Sequence, residues 1–278
     1  MSPYRLPDAF LESLLQEDSP CGDATTFTLA IGHMRGHLVF RARGEMVLCG
    51  SEEAQRLGEL RGLTAVGPMR VSGSPLAAGD EILCLGGDAA SLHLVWKTAQ
   101  TLMEYLSGIA IVTAARRGHT AASVVCTRKN FPGTKAAAIK AVFSGGASPH
   151  RLSLSETLLV FPEHRAFLRD EAPGTTIERL RQCWPERAVV VEVNSESEAR
   201  RWIDAGADIL QLEKMPVEKL RQIAAYAAAS RQATKIAAAG GIDVGNAAAY
   251  AEAGAQTLVT SAPFSARPRD VAVTMESG

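Results

Sequence analysis

Five groups able to bear positive charge, Arg128, Lys129, Lys135, His150 and Arg151, fall within the stretch CTRKNFPGTKAAAIKAVFSGGASPHR. Arginine grips carboxylate or phosphate through paired N–H bonds, and lysine supplies a compact point charge. Cations set beside glycines therefore suit an anionic substrate, although a solvated basic loop would explain the same composition equally well. Acidic groups recur further on. Glu192 ends the apolar run AVVVEV, Glu213 follows DILQL, and Gln211 shares the face of Glu213 by two-residue alternation. Carboxylates at that depth suit a reaction in which positive charge develops. Gly240-Gly241 after KIAAA, and Thr260-Ser261 after the last apolar run, offer amides and hydroxyls for a phosphate. Singly, a strand-end Glu is more often a cap or a solvated residue, and a Gly-Gly pair is more often a turn. Their joint placement carries the information.

The elements needed to place these groups are legible as patterns. Ala121–Cys126, Thr157–Phe161, Ala188–Val193, Asp208–Leu212, Thr234–Ala238 and Gln256–Val259 predict strands. Thr134–Phe143, Glu196–Ala205, Val217–Ser230 and Gly245–Ala253 predict intervening helices. Repeated strand–helix units imply a parallel sheet, and this many imply a β/α barrel whose chemistry collects at the carboxyl ends of the strands. Neighbouring strands stand about 4.8 Å apart, so Glu192 and Glu213 would share one mouth.

The first part of the chain reads differently. A helix over Pro7–Leu15 and an acidic turn over Gln16–Thr26 precede short β-type runs. These are Gly36–Ala42, Glu45–Cys49, Leu63–Gly67, Met69–Ser72 and Glu81–Leu85, with a helix at Ser51–Leu60. A long helix, Ala89–Arg117, leads into the second half, with the domain boundary expected near Ser107-Gly108.

Composition excludes several classes of function. The chain has 278 residues, 46% of them hydrophobic, enough for a large core in one or two domains. A formal net charge of -1 argues against a nucleic-acid or membrane-surface role. The N-terminus MSPYRLPDAF lacks a signal-peptide core, and no apolar run reaches a bilayer span. Cys21, Cys49, Cys84, Cys126 and Cys183 are odd in number and lack CxxC spacing, which disfavours disulfides and zinc and favours a reducing cytoplasm. His33, His37, His93 and His119 read as ordinary histidines, and His164 reads equally well as structural or functional.

The phrases QEDSPCGDATT, LSGIAIVT, CTRKNFPGTK, GGASPHRLSLSETLL, VEVNSESEA, AGADILQLEK and AAAGGI occur in that order over nearly the whole chain. Together they resemble the quinolinate phosphoribosyltransferases, the carboxylating nicotinate-nucleotide pyrophosphorylases. The resemblance implies an α/β fold: an N-terminal β-rich, sandwich-like domain at 1–107, then an incomplete β/α barrel at 108–278 whose last helix packs on the first domain. It further implies a homodimer, with a hexamer as the alternative, in which the partner's N-terminal domain helps close each site. The family joins a pyridine dicarboxylate to 5-phosphoribosyl-1-pyrophosphate with Mg²⁺, releasing pyrophosphate and carbon dioxide.

Carried over residue by residue, Arg128, Lys129, His150 and Arg151 match the family's substrate-gripping positions. Glu192 matches one of its two acidic positions near the ribose and metal, and Glu192, Glu213 and Lys129 become the expected catalytic residues. Gly240, Gly241, Thr260 and Ser261 are the expected phosphate binders. Mg²⁺ is expected to ride on the donor's pyrophosphate, with no residue assigned as a resident metal ligand.

Five departures stand out. Glu213 replaces an Asp, Phe161 replaces a substrate-facing Lys, and Lys97 replaces an Arg supplied by the partner. Ala237 and Ala239 replace a Glu and a Ser in the phosphate phrase, and Asn130 replaces a Thr. A dicarboxylate in a dry pocket needs several permanent cations. Losing a Lys and a bidentate Arg points to an acceptor with fewer carboxylates or a more apolar ring. Such divergence is similar to the ModD branch, pyrophosphorylases associated by name with molybdenum transport. Two other readings stay open. A true carboxylating nicotinate-nucleotide diphosphorylase of NAD biosynthesis would bind quinolinate tightly. A non-catalytic nucleotide-binding regulator on this scaffold would bind ligand and release no pyrophosphate from any acceptor.

Overall fold

Eight consecutive strand residues with a largely buried pattern, RGHLVFRA, form the spine of the first sheet in the computed structural model, which describes residues 4–118, 120–168 and 170–278. His119 lies outside the described residues. In chain order the elements begin α1 (Asp8–Asp18), α2 (Ala24–Thr28), β1 (Arg35–Ala42), β2 (Met46–Val47), α3 (Ser51–Glu59) and β3 (Thr64–Ala65). They continue β4 (Pro75–Leu76), β5 (Glu81–Asp88), α4 (Ala89–Gly118), β6 (Ser123–Cys126), α5 (Lys135–Ser144) and β7 (Ser148–Pro149). Next come β8 (Leu158–Val160), α6 (Pro162–Arg165), α7 (Pro173–Cys183), β9 (Val189–Val193), α8 (Glu196–Asp204) and β10 (Ile209–Glu213). The chain closes with α9 (Val217–Ala229), β11 (Lys235–Ala239), α10 (Ala247–Glu252), β12 (Thr257–Thr260), a short 3₁₀ turn and β13 (Val271–Ser277).

These elements form two units. One takes the chain up to Ala114 together with Asn130–Gly146 and Pro263–Gly278; the other comprises Ala115–Lys129 and Ala147–Ala262. In the first, an antiparallel sheet of order β13-β1-β5-β3 and the ribbon β2-β4 enclose a core that includes Leu11, Leu38, Phe40, Leu57, Leu83 and Met103. Helix α5 is tied into this unit by Lys140, whose buried ammonium lies 2.5 Å from Glu53 and 3.0 Å from Glu52. Burial alone would depress Lys140, but its bonds to these carboxylates outweigh that and hold its pKa above the ordinary lysine value.

Several expectations for this unit need correction. Met69–Ser72 is not a strand; Arg70 donates one backbone bond to Ile82, and the pairing passes instead to β4. The acidic turn expected over Gln16–Thr26 is present only at residues 19–23, and helices occupy both ends of the stretch. Helix α1 runs on to Asp18, and Asp23 caps α2 by accepting from the Thr25 amide at 2.9 Å. The expected last helix is a strand, β13, registered against the whole of β1 from Gly36 to Ala42. Such a segment gains strand geometry only from a partner remote in sequence. The long helix expected over Ala89–Arg117 is present as α4 and runs through Gly108, where a Cβ would lie 2.4 Å from the carbonyl oxygen of Arg267.

The second unit is a seven-stranded parallel sheet of order β7-β6-β12-β11-β10-β9-β8. Strand β12 returns to pair with β6, while β7 and β8 stand at the two free ends, so the barrel is open. Helix α8 shows why the units form: Ser195 accepts from the Glu198 amide at its start, acids fill its first turn, and Ala199, Trp202 and Ile203 face inward. Those residues pack with Val189, Val191, Val193, Leu210 and Leu212 in one core. The alternate residues of the strands form the barrel's inner face, where Ala237, Ala239 and Val259 cluster with Val125 and Ile209. Among the described residues no helix is long and apolar enough to cross a membrane.

Candidate active site

The inner face opens into a cavity of roughly 560 Å³ at the carboxyl ends of the strands, within the second unit. Strand β6 ends at Cys126 and delivers Thr127, Arg128 and Lys129 to its rim; β7 delivers His150 and Arg151. Phe161 follows β8, Glu192 lies on β9, and Gln211 and Glu213 lie on β10. Gly240-Gly241 and Thr260-Ser261 follow β11 and β12, and all of these residues line the one cavity.

Lys135 lies elsewhere, and Lys97, expected from a partner protomer, lies outside this chain's own cavity. Lys135 is exposed on α5 in the first unit. Lys97 is exposed on α4, donates to Gln100 at 3.0 Å and lies 5.1 Å from the Trp96 ring centre; neither lines the cavity.

The cationic side lacks direct ion pairs, although Glu156 partly offsets Arg151. Among the described residues, none of Arg128, Lys129, His150 and Arg151 forms an ion pair with a carboxylate. Arg151 is only 8% exposed, and its guanidinium carbon sits 5.5 Å from the Phe161 ring centre. Burial, then repulsion from Arg128, lowers its pKa, though an arginine so placed stays charged at neutral pH. Burial, then the charge of Arg151, also lowers His150. His150 is therefore neutral at pH 7 and offers a hydrogen bond in place of a fourth positive charge.

The acidic side shows the opposite shift. Burial, followed by repulsion from Glu213, raises Glu192, and the hydrogen bond from Gln211 only partly offsets this. Parallel pairing sets Gln211 directly beside Glu192, and Gln211 Nε2 donates to Glu192 Oε2 at 2.6 Å. Arg165, which the strand–helix pattern did not single out, donates to the Glu192 backbone oxygen at 2.6 Å and pairs with Glu198 at 3.2 Å. It sits in α6, a single turn too short to show periodicity. His164, in the same turn, accepts from the Phe161 amide at 3.0 Å and stacks on its ring, so it supports Phe161 from outside the cavity.

The loop after β11 is shaped for an anion. Gly240 and Gly241 have φ of +80° and +77°, and among the described residues the amides of Gly240, Gly241 and Ile242 have no acceptor. Thr260 is less available than its position suggests. Its hydroxyl donates to the Ile242 carbonyl at 3.2 Å and accepts from the Ala262 amide at 3.3 Å, which leaves Ser261 as the free hydroxyl of the pair. A Cβ at Gly240 would fall 2.6 Å from Glu213 Oε1 and 2.6 Å from Lys214 Cγ, whereas one at Gly241 would meet nothing. Gly240→Ala should therefore weaken calorimetric binding of a sugar pyrophosphate about tenfold to a hundredfold, and Gly241→Ala much less. Equal losses would show that strain alone, and not displacement of Glu213, is responsible.

The family model for the quinolinate phosphoribosyl transferase N-terminal domain matches residues 23–107, and that for the C-terminal domain matches residues 108–274. The chain is 43% identical over 250 residues to ModD of Rhodobacter capsulatus, named as a pyrophosphorylase, covering 88% of this chain and 96% of that one. It is 29% identical over 255 residues to a protein of Methanothermobacter thermautotrophicus named as a carboxylating nicotinate-nucleotide pyrophosphorylase, covering 89% and 91%. The crystal structure of NadC from Streptococcus pyogenes superposes with a TM-score of 0.91 at 26% identity, covering 100% of both chains.

Proposed function

We propose, from the premise that this chain belongs to the quinolinate phosphoribosyl transferase family, a specific division of labour within its cavity. The chain is a phosphoribosyltransferase, a pentosyltransferase of the ModD-like kind. The donor is 5-phosphoribosyl-1-pyrophosphate, and the acceptor is a nitrogen heterocycle other than quinolinate. The observation that carries this reading is the gathering of cations, an aromatic ring, two carboxylates and an amide-rich loop around one space.

The donor's 5-phosphate sits on the amides of Gly240 to Ile242 with the Ser261 hydroxyl, and its ribose faces Glu192 and Glu213. The acceptor stacks near Phe161 with its anionic group on Arg151 and Arg128, oriented by neutral His150. The acceptor ring nitrogen forms the new C–N bond, and pyrophosphate leaves with the electron pair of the broken C–O bond. Positive charge grows on the sugar carbon between these events, and the two carboxylates stabilise it electrostatically. Lys129 meets the charge of the leaving pyrophosphate. Mg²⁺ bound with the donor would offset the negative charge of its pyrophosphate, beside Lys129. Among the described residues no three His, Cys, Asp or Glu side chains gather as a ligand set of their own.

The homodimer belongs to the same proposal, with Lys97 of one protomer reaching its partner's cavity. So does the division of the chain near 107/108, along which the two family models meet.

A reaction with donor, Mg²⁺ and a mixture of pyridines, pyrimidines and azoles, followed by mass spectrometry, tests the transfer itself. A product heavier than one of the rings by a phosphoribosyl group supports it. Donor binding with no such product would favour a regulatory scaffold instead. The identity of the acceptor is probed at Phe161, whose ring takes the place of a cation. Phe161→Lys is expected to tighten quinolinate binding about tenfold by supplying one charge-assisted hydrogen bond. Calorimetric titration of both proteins checks this, and an unchanged or weaker affinity would remove Phe161 from the account of specificity.

A further inference from the structure

Gln211 sits on the inner face between an apolar layer and the carboxylates of Glu192 and Glu213 at the mouth. Its neighbours along the inner side of the barrel, Ile209, Ala237, Ala239 and Val259, form a hydrophobic cluster. Gln211 itself is only 5% exposed. Its amide is half used: Nε2 donates to Glu192 Oε2 at 2.6 Å, while Oε1 is buried without a hydrogen-bond partner among the described residues. An uncompensated buried carbonyl opposes folding, so an apolar residue of similar length would serve the core better. What glutamine adds at this position is one N–H aimed at one carboxylate oxygen.

We propose that Gln211 is a positioning residue that holds the Glu192 carboxylate in the orientation that receives the ribose of the donor. The register makes this local. Gln211 pairs directly with Glu192 across β10 and β9, so the amide reaches the carboxylate without a bend in either strand. Gln211 takes one of the two carboxylate oxygens, which leaves the other to turn toward the cavity both residues line. Arg165 holds the backbone oxygen of the same residue, so main chain and side chain are each gripped once. The inference rests on the proposed role of Glu192, and its test separates the two.

The experiment is a double-mutant cycle read by calorimetric titration of the full chain with 5-phosphoribosyl-1-pyrophosphate and magnesium. The proteins are wild type, Gln211→Met, Glu192→Gln and the double variant. If Gln211 acts through Glu192, Gln211→Met weakens donor binding about tenfold in the wild-type background. In the Glu192→Gln background it does so by less than about twofold. Its thermal unfolding temperature should not fall, since an uncompensated carbonyl has been removed. Gln211→Asn, which withdraws the amide by one methylene and keeps a small polar side chain, should give the same dependence on background. It supplies the cycle if the Met variant does not fold. An equal loss in both backgrounds, or no loss in either, overturns the positioning role while leaving donor binding intact. A wild-type protein that does not bind the donor overturns this inference together with the reading on which it rests.

Discussion

Replacing Glu192 with glutamine is expected to lower turnover about 10²–10³-fold, the scale on which removal of one well-placed electrostatic partner acts. The same change is expected to raise thermal stability at neutral pH. Both effects come from one environment. Burial, then Glu213, raises the pKa of Glu192 from the ordinary glutamate value, so its ionised form is disfavoured in the folded chain. For an acid whose folded pKa is raised, the stabilising contribution of the protonated form is present below the unfolded pKa. It is lost as pH rises through the folded value. Above that window the folded protein holds a charge that opposes folding, and glutamine removes it. Unfolding temperatures of the two proteins should therefore converge at low pH and separate toward pH 8, with the variant the more stable.

Activity of the wild type should fall on the acid side through a pKa raised from the ordinary glutamate value, since catalysis needs the ionised form. Rates of pyrophosphate release across pH, measured with the fastest acceptor, would check this. A Glu192→Gln protein that is both active and less stable would mean that this carboxylate is structural.

Arg151→Ala is expected to weaken acceptor binding about 10²–10³-fold, the worth of two charge-assisted hydrogen bonds from a planar guanidinium. Arg151 is buried, faces an aromatic ring and forms no direct ion pair; Glu156 offsets its charge only in part, and an entering anion would complete the compensation. Arg151→Lys should recover only part of the loss, because an ammonium cannot reproduce the fork. The defect should appear in KM for the acceptor and leave donor affinity nearly unchanged. Its pH profile should stay flat through neutrality, as the guanidinium remains charged there. Titration of nicotinate, a monocarboxylate ring, into the three proteins makes the comparison. Equal affinities would mean that Arg151 serves another group.

The strands that build the barrel were legible because each is a short apolar run bounded by turn residues, as in AVVVEV for β9 and KIAAA for β11. Glu192 and Glu213 could be placed at one mouth because a parallel sheet brings successive strand ends together. What was not legible depends on contacts remote in sequence. Strand β13 exists by pairing with β1, and α6 is one turn long. Lys135 reads like its neighbours in a basic stretch, yet α5 belongs to the first unit, where Lys140 is bound to Glu52 and Glu53. The charge state of His150 was also hidden, since it depends on burial beside Arg151. Nor can a sequence reveal that the Thr260 hydroxyl is already engaged by Ile242 and Ala262.

The most direct test compares rates of pyrophosphate release from 5-phosphoribosyl-1-pyrophosphate with Mg²⁺, using quinolinate and a series of heterocycles bearing one carboxylate or none. The cavity lined by Arg128, Lys129, Arg151 and Phe161 predicts that at least one of the less charged rings outpaces quinolinate, and that Glu192→Gln slows release with every ring. Release that is fastest with quinolinate would contradict the proposed acceptor, and no release with any ring would contradict the transfer itself.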